Sequence, residues 1–518
     1  MSTDVPSLTG TVFPQLSSRS RTAFRLALIG LVVLLTVAAA MRWQAPLIGL
    51  VSMGMPLLFL AYLYETNAVD AVSRPVLLIT ATLGVGLGVG WALGTDAAVA
   101  RANDDALGIP VSAARLLLTG LAIPLGFVVL LLAPIVLARL RRAEVRQPFD
   151  GFAIGSLAAY CFTAAGTLTR LAPQFASGPV ADEDRSAAGL VVAAVIQGLA
   201  IPVIAAAVGG AVGATLWCSQ RTDTGRNYHW YSPSSPTPSI VGGVLLFLGL
   251  GVIDLATPSR YVQLGWYALT AVLALFALRI VLKATAVVET PADAAARTPR
   301  STPPARLLLV LGAASAVVVA GSVGLSVWLT PPKPNYVCPP DCERPPISKP
   351  VATNPRFTPD TGEFSVSYPG EGTAYQATFE PNGVVADLLA GDGGTLRLFG
   401  EPAAGRTPRQ IADELVQSTY PDATTDYEIP NALVGYQLGY GEVADFYPAD
   451  SIGDDDRLRI LVMVAVKNDF ALVAAAAGPY HEFSPDFGSG HPSGANFFLA
   501  LDMAKYVNSF TWRGDPPR

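Results

Sequence analysis

Long apolar stretches dominate the first two thirds of the chain and are separated by short polar loops. A helix that crosses a bilayer needs about 20 apolar residues, because every backbone polar group must be bonded internally within the lipid. The stretches of about that length are residues 24–42, 46–64, 75–95, 114–138, 151–171, 189–217, 239–256, 262–283 and 306–330. The pattern predicts a polytopic α-helical membrane domain of about nine spans over residues 23–330, after a cytoplasmic segment, residues 1–22.

The basic residues of the loops predict how these spans are oriented, because Lys and Arg near helix ends stay in the cytoplasm. They cluster before the first predicted span and after the fourth, sixth and eighth, as in Arg139-Leu-Arg141-Arg142. The loops on the opposite side carry more acid than base, as in Asp182-Glu183-Asp184-Arg185. The pattern predicts a multi-pass protein of the plasma membrane, with the lipid bilayer as its partner, a cytoplasmic N-terminus and an extracytoplasmic region after Thr330.

The region after Thr330 reads as a proline-rich linker, residues 331–355, and a folded domain, residues 356–518. Alternating apolar and polar positions predict strands in this domain. The predicted strands are Glu363–Tyr368, Tyr375–Glu380, Val384–Leu389, Thr395–Phe399, Leu433–Leu438, Glu442–Tyr447, Arg457–Val466 and Phe470–Ala475.

Two helices are expected among these strands. A capping box, Thr407-Pro408-Arg-Gln410, opens the first helix, which runs to about Ser418. The second covers about residues 494–508. Its core-facing candidates are Phe498, Leu501 and either Leu499 or Met503. The fold class expected for the domain is α+β with an antiparallel sheet.

The composition narrows the possible functions. The chain has 518 residues, of which 51% are hydrophobic and only 14% charged, so it is too apolar for an ordinary soluble protein. Its net charge of -6 argues against a nucleic-acid partner, because phosphate binding needs a basic surface. Much of the acid lies in the C-terminal domain, where we expect it to increase solubility.

The cysteines near the last span predict a covalent link. Cys338 and Cys342, in the sequence Cys-Pro-Pro-Asp-Cys, follow the ninth predicted span directly. On the oxidising side of a membrane such a pair is expected to form a disulfide. A zinc site needs about four ligands, and neither a histidine nor a second cysteine pair lies nearby.

The predicted spans contain few groups that could carry chemistry. Arg170, Asp254 and Arg279 lie near predicted span ends, where long or polar side chains reach the interface without any function. Gln197 is polar but neutral, and the glycines that follow it in span six, like those of span three, suit close helix packing. No histidine lies inside a predicted span, so neither a proton relay nor a metal site is expected there.

The C-terminal domain holds one group of candidate metal ligands. His481, Glu482, Asp486 and His491 lie in turn-rich sequence, and Asp502 follows in the last predicted helix. We interpret the histidines as turn residues rather than as metal ligands, and we predict no metal and no other cofactor. Tyr436, Tyr440 and Tyr447 could line a binding surface, although tyrosines on neighbouring strands are more often ordinary sheet pairs.

Spans four and five carry two motifs that belong together. The stretch Ala-Pro134-Ile-Val-Leu-Ala-Arg-Leu-Arg141 is followed by Asp150-Gly151-Phe-Ala-Ile-Gly155 and then by Phe162. Over roughly residues 45–217 the chain resembles the PrsW-type intramembrane metalloproteases. In that family the stretches read Pro-x-x-Glu-Glu-x-x-Lys and Asp-Gly-x-x-x-Gly, the latter running into Phe-x-x-x-Glu, and a later span supplies a histidine. The scaffold positions that this resemblance implies are Pro134, Asp150, Gly151 and Gly155.

The catalytic positions of that family are replaced in this sequence. Leu137 and Ala138 stand where the paired glutamates are expected, and Arg141 stands at the lysine position. Gly166 takes the place of the glutamate after Phe162, and residues 190–217 contain no histidine. In such enzymes a metal activates water and a carboxylate moves its proton, which Leu, Ala and Gly cannot do. The resemblance therefore implies a non-catalytic relative, a pseudoprotease.

The C-terminal domain resembles the PsbP-like α+β fold in two short segments, Phe364-Ser-Val-Ser-Tyr-Pro and Val507-Asn-Ser-Phe510. That fold hosts binding and assembly roles rather than one chemistry. We therefore expect a bacterial cell-envelope scaffold that displays a binding or sensing domain, with an envelope protein or cell-wall glycan bound by residues 356–518. A transporter or flippase built around Gln197 is the alternative, and an active intramembrane metalloprotease is the lesser one.

Overall fold

A computed structural model of the chain describes residues 13–14, 16, 18–101, 107, 116–140, 147–181, 185–218, 235–256, 258–286, 302–330, 354–389, 393–448, 452, 457–480 and 494–515. Contacts divide the chain into two compact units. The first unit comprises Met1–Ala102, Ala113–Thr330 and Ala449–Gly453, and the second comprises Asn103–Ser112, Pro331–Pro448 and Asp454–Arg518.

The first unit is helical. Among the described residues, nine helices are long and apolar enough to cross a membrane. They are α1 (Ser18–Ala40), α2 (Gln44–Glu65), α3 (Arg74–Arg101), α4 (Leu118–Leu140), α5 (Pro148–Leu171), α6 (Ala187–Cys218), α7 (Pro236–Leu255), α8 (Arg260–Ala286) and α9 (Pro304–Leu329). Each of the nine predicted stretches coincides with one helix.

Three of these helices form the centre of the unit. The helices differ in the buried fraction of the most apolar 18 residues in each. This fraction is 72% in α2, 78% in α5 and 67% in α6, and it is 33% or less in the other six helices. The six peripheral helices keep apolar residues such as Leu78, Val129 and Val317 exposed. An apolar outer surface around a packed interior is the arrangement that a lipid environment favours.

Glycines let α5 approach its neighbours closely. A Cβ atom built at Gly151 would lie 2.4 Å from the carbonyl oxygen of Gly213, and one at Gly155 would lie 2.1 Å from that of Gly209. On the α3 side, a Cβ atom at Gly88 would lie 2.3 Å from the Phe162 carbonyl oxygen. Spacings of four residues between such glycines allow backbone contact between membrane helices.

The glycines predicted to form a packing face on α3 divide into two sets. Gly84 and Gly88 contact α5, whereas a Cβ atom at Gly86 or Gly90 would meet nothing within 4 Å. The prediction was therefore right for one set and wrong for the other. Residues two apart on a helix point in different directions, so four glycines at every second position cannot share one face.

Two helices contain a widened turn at a repeated sequence. Residues Leu118–Ala122 in α4 and Ile196–Ala200 in α6 are π-helical turns. Each precedes the dipeptide Ile-Pro, and the sequence Gly-Leu-Ala-Ile-Pro occurs at both places, ending at Pro124 and Pro202. Proline lacks an N–H group and its ring clashes with the carbonyl group four residues earlier, so a wider turn relieves the strain.

The second unit is built on a seven-stranded antiparallel sheet. Its strands lie in the order β3 (Tyr375–Glu380), β4 (Gly383–Leu388), β5 (Thr395–Pro402), β11 (Phe470–Pro479), β10 (Leu458–Lys467), β9 (Tyr440–Phe446) and β6 (Thr424–Ile429). A small sheet contains β1 (Arg356–Phe357), β2 (Phe364–Ser367) and β12 (Thr511–Trp512), and a hairpin contains β7 (Leu433–Val434) and β8 (Gln437–Leu438).

Both faces of the large sheet are covered. Helix α10 (Pro408–Thr419) packs on one face, where Ile411 and Val416 meet Val462, Val473 and other strand residues. The small sheet and helix α11 (Gly494–Val507), with Leu499 and Met503, pack on the other face. The α+β architecture with an antiparallel sheet is confirmed.

Most predicted strands occur within a few residues of their expected ends, but one is divided in two, and strands β1, β6 and β12 were not predicted. Leu433–Leu438 was predicted as one strand and is a hairpin, because Gly435 and Tyr436 turn the chain with φ of 55° and 61°. Strand β6 was missed because its residues are almost all exposed, so apolar alternation is absent. The capping box at Thr407 is present as predicted. Leu499 and Met503 of α11 are buried, while the side chains of Phe498 and Leu501 lie outside the description.

Candidate functional site

The motif of α5 that carries the protease resemblance lies in a packed helix interface. Asp150 occupies the first turn of α5 and is buried, and Gly151 and Gly155 contact the backbone of α6. Pro134 is buried inside α4. Each of these residues therefore has a packing or helix-start role that needs no catalytic explanation. Arg141 lies outside the described residues.

The positions expected to bear catalytic carboxylates lie at different depths. The ring of Phe162 lies 5.0 Å from that of Phe127, so these two residues mark one level of the antiparallel helices α4 and α5. Leu137 is ten residues, or about 15 Å, from that level toward the α4–α5 loop. Gly166 is one turn, or about 6 Å, from it in the other direction. Side chains at Leu137, Ala138 and Gly166 are therefore not brought together.

A buried carboxylate at the end of α2 was missed by the sequence analysis. Glu65 is completely buried, and its Oε1 atom accepts hydrogen bonds from Ser20 Oγ at 2.7 Å and Thr302 N at 3.2 Å. Glu65 thus joins the start of α1, the end of α2 and the segment before α9. In the sequence, Glu65 is a single acidic residue directly after a predicted span. Such a residue looks like an ordinary interfacial one, so the sequence did not mark it as buried. Gln197 is half-buried in the second π-helical turn.

Acidic side chains converge in the second unit where α10 packs on β9, next to the edge strand β6. Glu428 of β6 and Glu442 of β9 stand directly opposite each other in the antiparallel register. Burial raises the pKa of Glu442, and the nearby carboxylate of Asp413 on α10 raises it further. Tyr440 lies two residues before Glu442 on the same face of β9. We call Asp413, Glu428, Tyr440 and Glu442 the acidic cradle.

A single cation contacts the cradle among the described residues. Arg409 of α10 donates a hydrogen bond to Glu428 at 2.5 Å and lies 3.9 Å from an Asp413 oxygen. Its guanidinium carbon lies 5.3 Å from the centre of the Tyr440 ring, which is cation–π distance. The Arg409 side chain itself is 58% exposed, so the cation lies over the cradle rather than inside it.

In a second charged cluster on the same strands, the negative and positive charges balance each other. Asp445 accepts hydrogen bonds from Arg457 at 2.6 Å and from Arg459 at 3.0 Å, and Arg459 also pairs with Asp426. Burial alone would raise the pKa of Asp445, but the hydrogen bonds from the two arginines outweigh burial and hold that pKa below 3.8. Both arginines stack on Tyr480. We interpret this cluster as structural.

Next to this cluster lies a cavity of about 50 Å³, large enough for a water molecule or a small group. Tyr427, Val443 and Leu461 line it, together with Arg459 and Leu499. The only charged side chain in the lining is Arg459, which is already paired with two aspartates. The one charge in the lining is therefore already neutralised by aspartates.

The other candidates from the sequence have the following positions. Asp502 accepts a hydrogen bond from Tyr375 at 2.8 Å and pairs with Lys505, so it serves the packing of α11. His481, Glu482, Asp486 and His491 lie outside the described residues, and so do Cys338 and Cys342, whose disulfide stays a prediction. Tyr436 is exposed at a hairpin turn, whereas Tyr440 and Tyr447 are buried, so the three do not form one surface.

In the described part of the chain, no three His, Cys, Asp or Glu side chains form a group that could hold a metal ion. Across the residues that the structure describes, the fold combines nine long apolar helices, as found in multi-pass membrane proteins, with a C-terminal antiparallel sheet domain. No protein-family model, curated protein or solved structure matches this chain.

Proposed function

We propose that this chain is a multi-pass protein of the bacterial cell envelope. Its helical unit is a non-catalytic, PrsW-like scaffold, and its C-terminal domain binds an envelope protein or a cell-wall glycan outside the cell. The observation that carries this proposal is that α5 serves helix packing: Gly151 and Gly155 lie against the backbone of α6. Leu137 and Gly166 offer no carboxylate, and they lie at different levels along α4 and α5. Such a helix suits a rigid support better than an active site.

The non-catalytic part of the proposal is tested with purified full-length protein in proteoliposomes. A single-span model substrate is incubated with the protein and added Zn²⁺, and its cleavage is followed by gel electrophoresis. We expect no cleavage above that in protein-free liposomes, because a metal-bound water cannot form without ligands. Cleavage that a chelator abolishes would contradict the proposal and favour an active metalloprotease with unusual ligands.

The binding part is tested by capture from envelope extracts. Full-length protein in nanodiscs is compared with a variant that ends after Thr330, and bound proteins and glycans are identified by mass spectrometry. A partner that requires residues 356–518 is the expected result. Equal capture by both forms would assign binding to the helical unit and would refute a display function for the C-terminal domain.

A further inference from the structure

We propose that the acidic cradle is a binding site for an organic cation, a guanidinium or ammonium group carried by the partner of the C-terminal domain. Arg409 of the same chain covers this site in the free protein and is displaced when the partner binds. This inference rests on the proposed binding function and adds the chemistry that the partner must present.

The cradle carries an unbalanced negative charge. Glu428 and Glu442 face each other across two strands, an arrangement in which like charges destabilise a sheet. Glu442 is only 4% exposed, and its one hydrogen bond comes from Thr425 Oγ1 at a long 3.4 Å. A buried carboxylate with so few partners is costly unless a cation compensates it. Within the described residues Glu442 forms no ion pair.

A buried hydroxyl group at the same place also lacks a hydrogen-bond partner among the described residues. Tyr440 is 7% exposed, and its hydroxyl oxygen is buried without a hydrogen-bond partner among the described residues. Tyr440 and Glu442 are two residues apart on one face of β9, and Arg409 reaches both the Tyr440 ring and Glu428, so the Tyr440 side chain lies beside the carboxylates. A ligand that brings N–H groups would supply a partner for the hydroxyl oxygen and a cation for the carboxylates at once.

The resident arginine indicates which kind of cation fits. Arg409 already makes the contacts that a guanidinium ligand would make, a hydrogen bond to Glu428 and stacking on Tyr440. The three carboxylates do not form a group that suits a metal ion, whereas the extended, planar guanidinium group can reach several acceptors at once. Residues 356–518 contain 23 acidic and 10 basic residues, which attracts cationic partners in general.

The test uses full-length protein in nanodiscs of zwitterionic lipid and a fluorescein-labelled penta-arginine peptide, with a penta-citrulline peptide as the uncharged control. Binding is measured by fluorescence anisotropy. Glu428→Gln and Glu442→Gln are each compared with Glu371→Gln, which removes the same charge from an exposed position outside the cradle. We expect each cradle variant to weaken peptide binding about tenfold, and Glu371→Gln to change it less than about twofold.

A second pair of variants tests the displacement of Arg409. Arg409→Ala uncovers the cradle and should tighten peptide binding more than Arg513→Ala, which changes the net charge equally at an exposed position. Displacement of the peptide by free arginine would assign the site to a small cation, and resistance to it would assign the site to a basic protein segment. Either result supports the proposed binding of an organic cation by the cradle.

Four results would overturn the inference. Equal weakening by Glu428→Gln and Glu371→Gln would mean that general electrostatic attraction explains all binding. Equal tightening by Arg409→Ala and Arg513→Ala would mean the same. Ca²⁺ is compared with Na⁺ at equal ionic strength. If Ca²⁺ displaces the peptide and Na⁺ does not, the cradle is a metal site instead. Partner capture that Glu428→Gln leaves intact would refute the cradle while the proposed binding function stands.

Discussion

Two carboxylates on one strand illustrate how local contacts set the properties of a residue. Glu442 and Asp445 are both almost fully buried in β9, but they point to opposite faces of the sheet. Asp445 receives hydrogen bonds from two arginines, whereas Glu442 faces further carboxylates and receives one weak hydrogen bond. The first is therefore stable as an anion, and the second is stabilised by a proton or by a cation from outside.

The pH dependence of stability should reflect this difference. The pKa of Glu442 is raised above its ordinary 4.5 by burial, then by Asp413 and Glu428, against lowering by Thr425 and Arg409. The folded domain then holds this proton more tightly than the unfolded chain, so Glu442 lowers stability as pH rises from about 4.5 through its raised pKa. We expect Glu442→Gln to remove this loss, measured as the thermal midpoint of the C-terminal domain in full-length protein between about pH 4 and pH 8.

Asp445 provides the control because its linkage has the opposite sign. Its lowered pKa contributes stability that is present above the ordinary 3.8 and is lost as pH falls through the folded value. Asp445→Asn should therefore lower the midpoint at neutral pH, because it removes the carboxylate that accepts hydrogen bonds from Arg457 and Arg459. A Glu442→Gln variant whose midpoint follows the wild-type pH profile would contradict our description of the cradle.

Residues of this kind were the hardest to predict from the sequence. Glu442 and Glu65 carry no motif, and their importance follows from burial that only the folded chain reveals. The cradle joins α10, β6 and β9, and β6 was itself not predicted. By contrast, the resemblance of α5 drew attention to Gly151 and Gly155, which lie against the backbone of α6. It could not say that these glycines serve packing against α6.

At the scale of elements, glycine contacts explain why α3, α5 and α6 pack closely. We expect Gly155→Ala to destabilise the helical unit strongly, because its Cβ would lie 2.1 Å from a backbone oxygen that cannot move aside easily. Gly86→Ala, at an open position in α3, should be neutral or stabilising by up to about 1 kcal/mol from helix propensity. The measurement is the thermal midpoint in detergent by fluorescence-detected size-exclusion chromatography.

The outcome of this comparison is informative in both directions. Loss of the folded peak for Gly155→Ala, with a normal peak for Gly86→Ala, would show that the contact of α5 with α6 holds the unit together. Equal stability of the two variants would mean that α5 and α6 can separate without cost. The motif glycines would then need another explanation.

The elements themselves were largely predictable. Every predicted span is a helix, since an apolar run of that length has few other stable states. The strands with apolar alternation were found, whereas β6, with its exposed residues, was not. The hairpin at Leu433–Leu438 was mistaken for one strand because Tyr436 is a non-glycine residue with positive φ, which sequence patterns do not anticipate. The π-helical turns also escaped notice, although the repeat Gly-Leu-Ala-Ile-Pro marks both.

At the scale of the whole molecule, the basic loops between the apolar helices predict the orientation of the chain in the membrane. The N-terminus and the loops after the fourth, sixth and eighth helices should be cytoplasmic, and the C-terminal domain should be outside. This orientation gives the acidic cradle access to partners in the envelope. The proposed binding function therefore depends on it directly.

The most direct test of the account is the position of the C-terminal domain relative to the membrane. In a variant without the native cysteines, Gln417→Cys on α10 and Ala294→Cys before α9 are labelled separately with a membrane-impermeant maleimide in intact cells and after lysis. We expect Gln417→Cys to react in intact cells and Ala294→Cys to react only after lysis. Labelling of Ala294→Cys, but not Gln417→Cys, in intact cells would contradict the account.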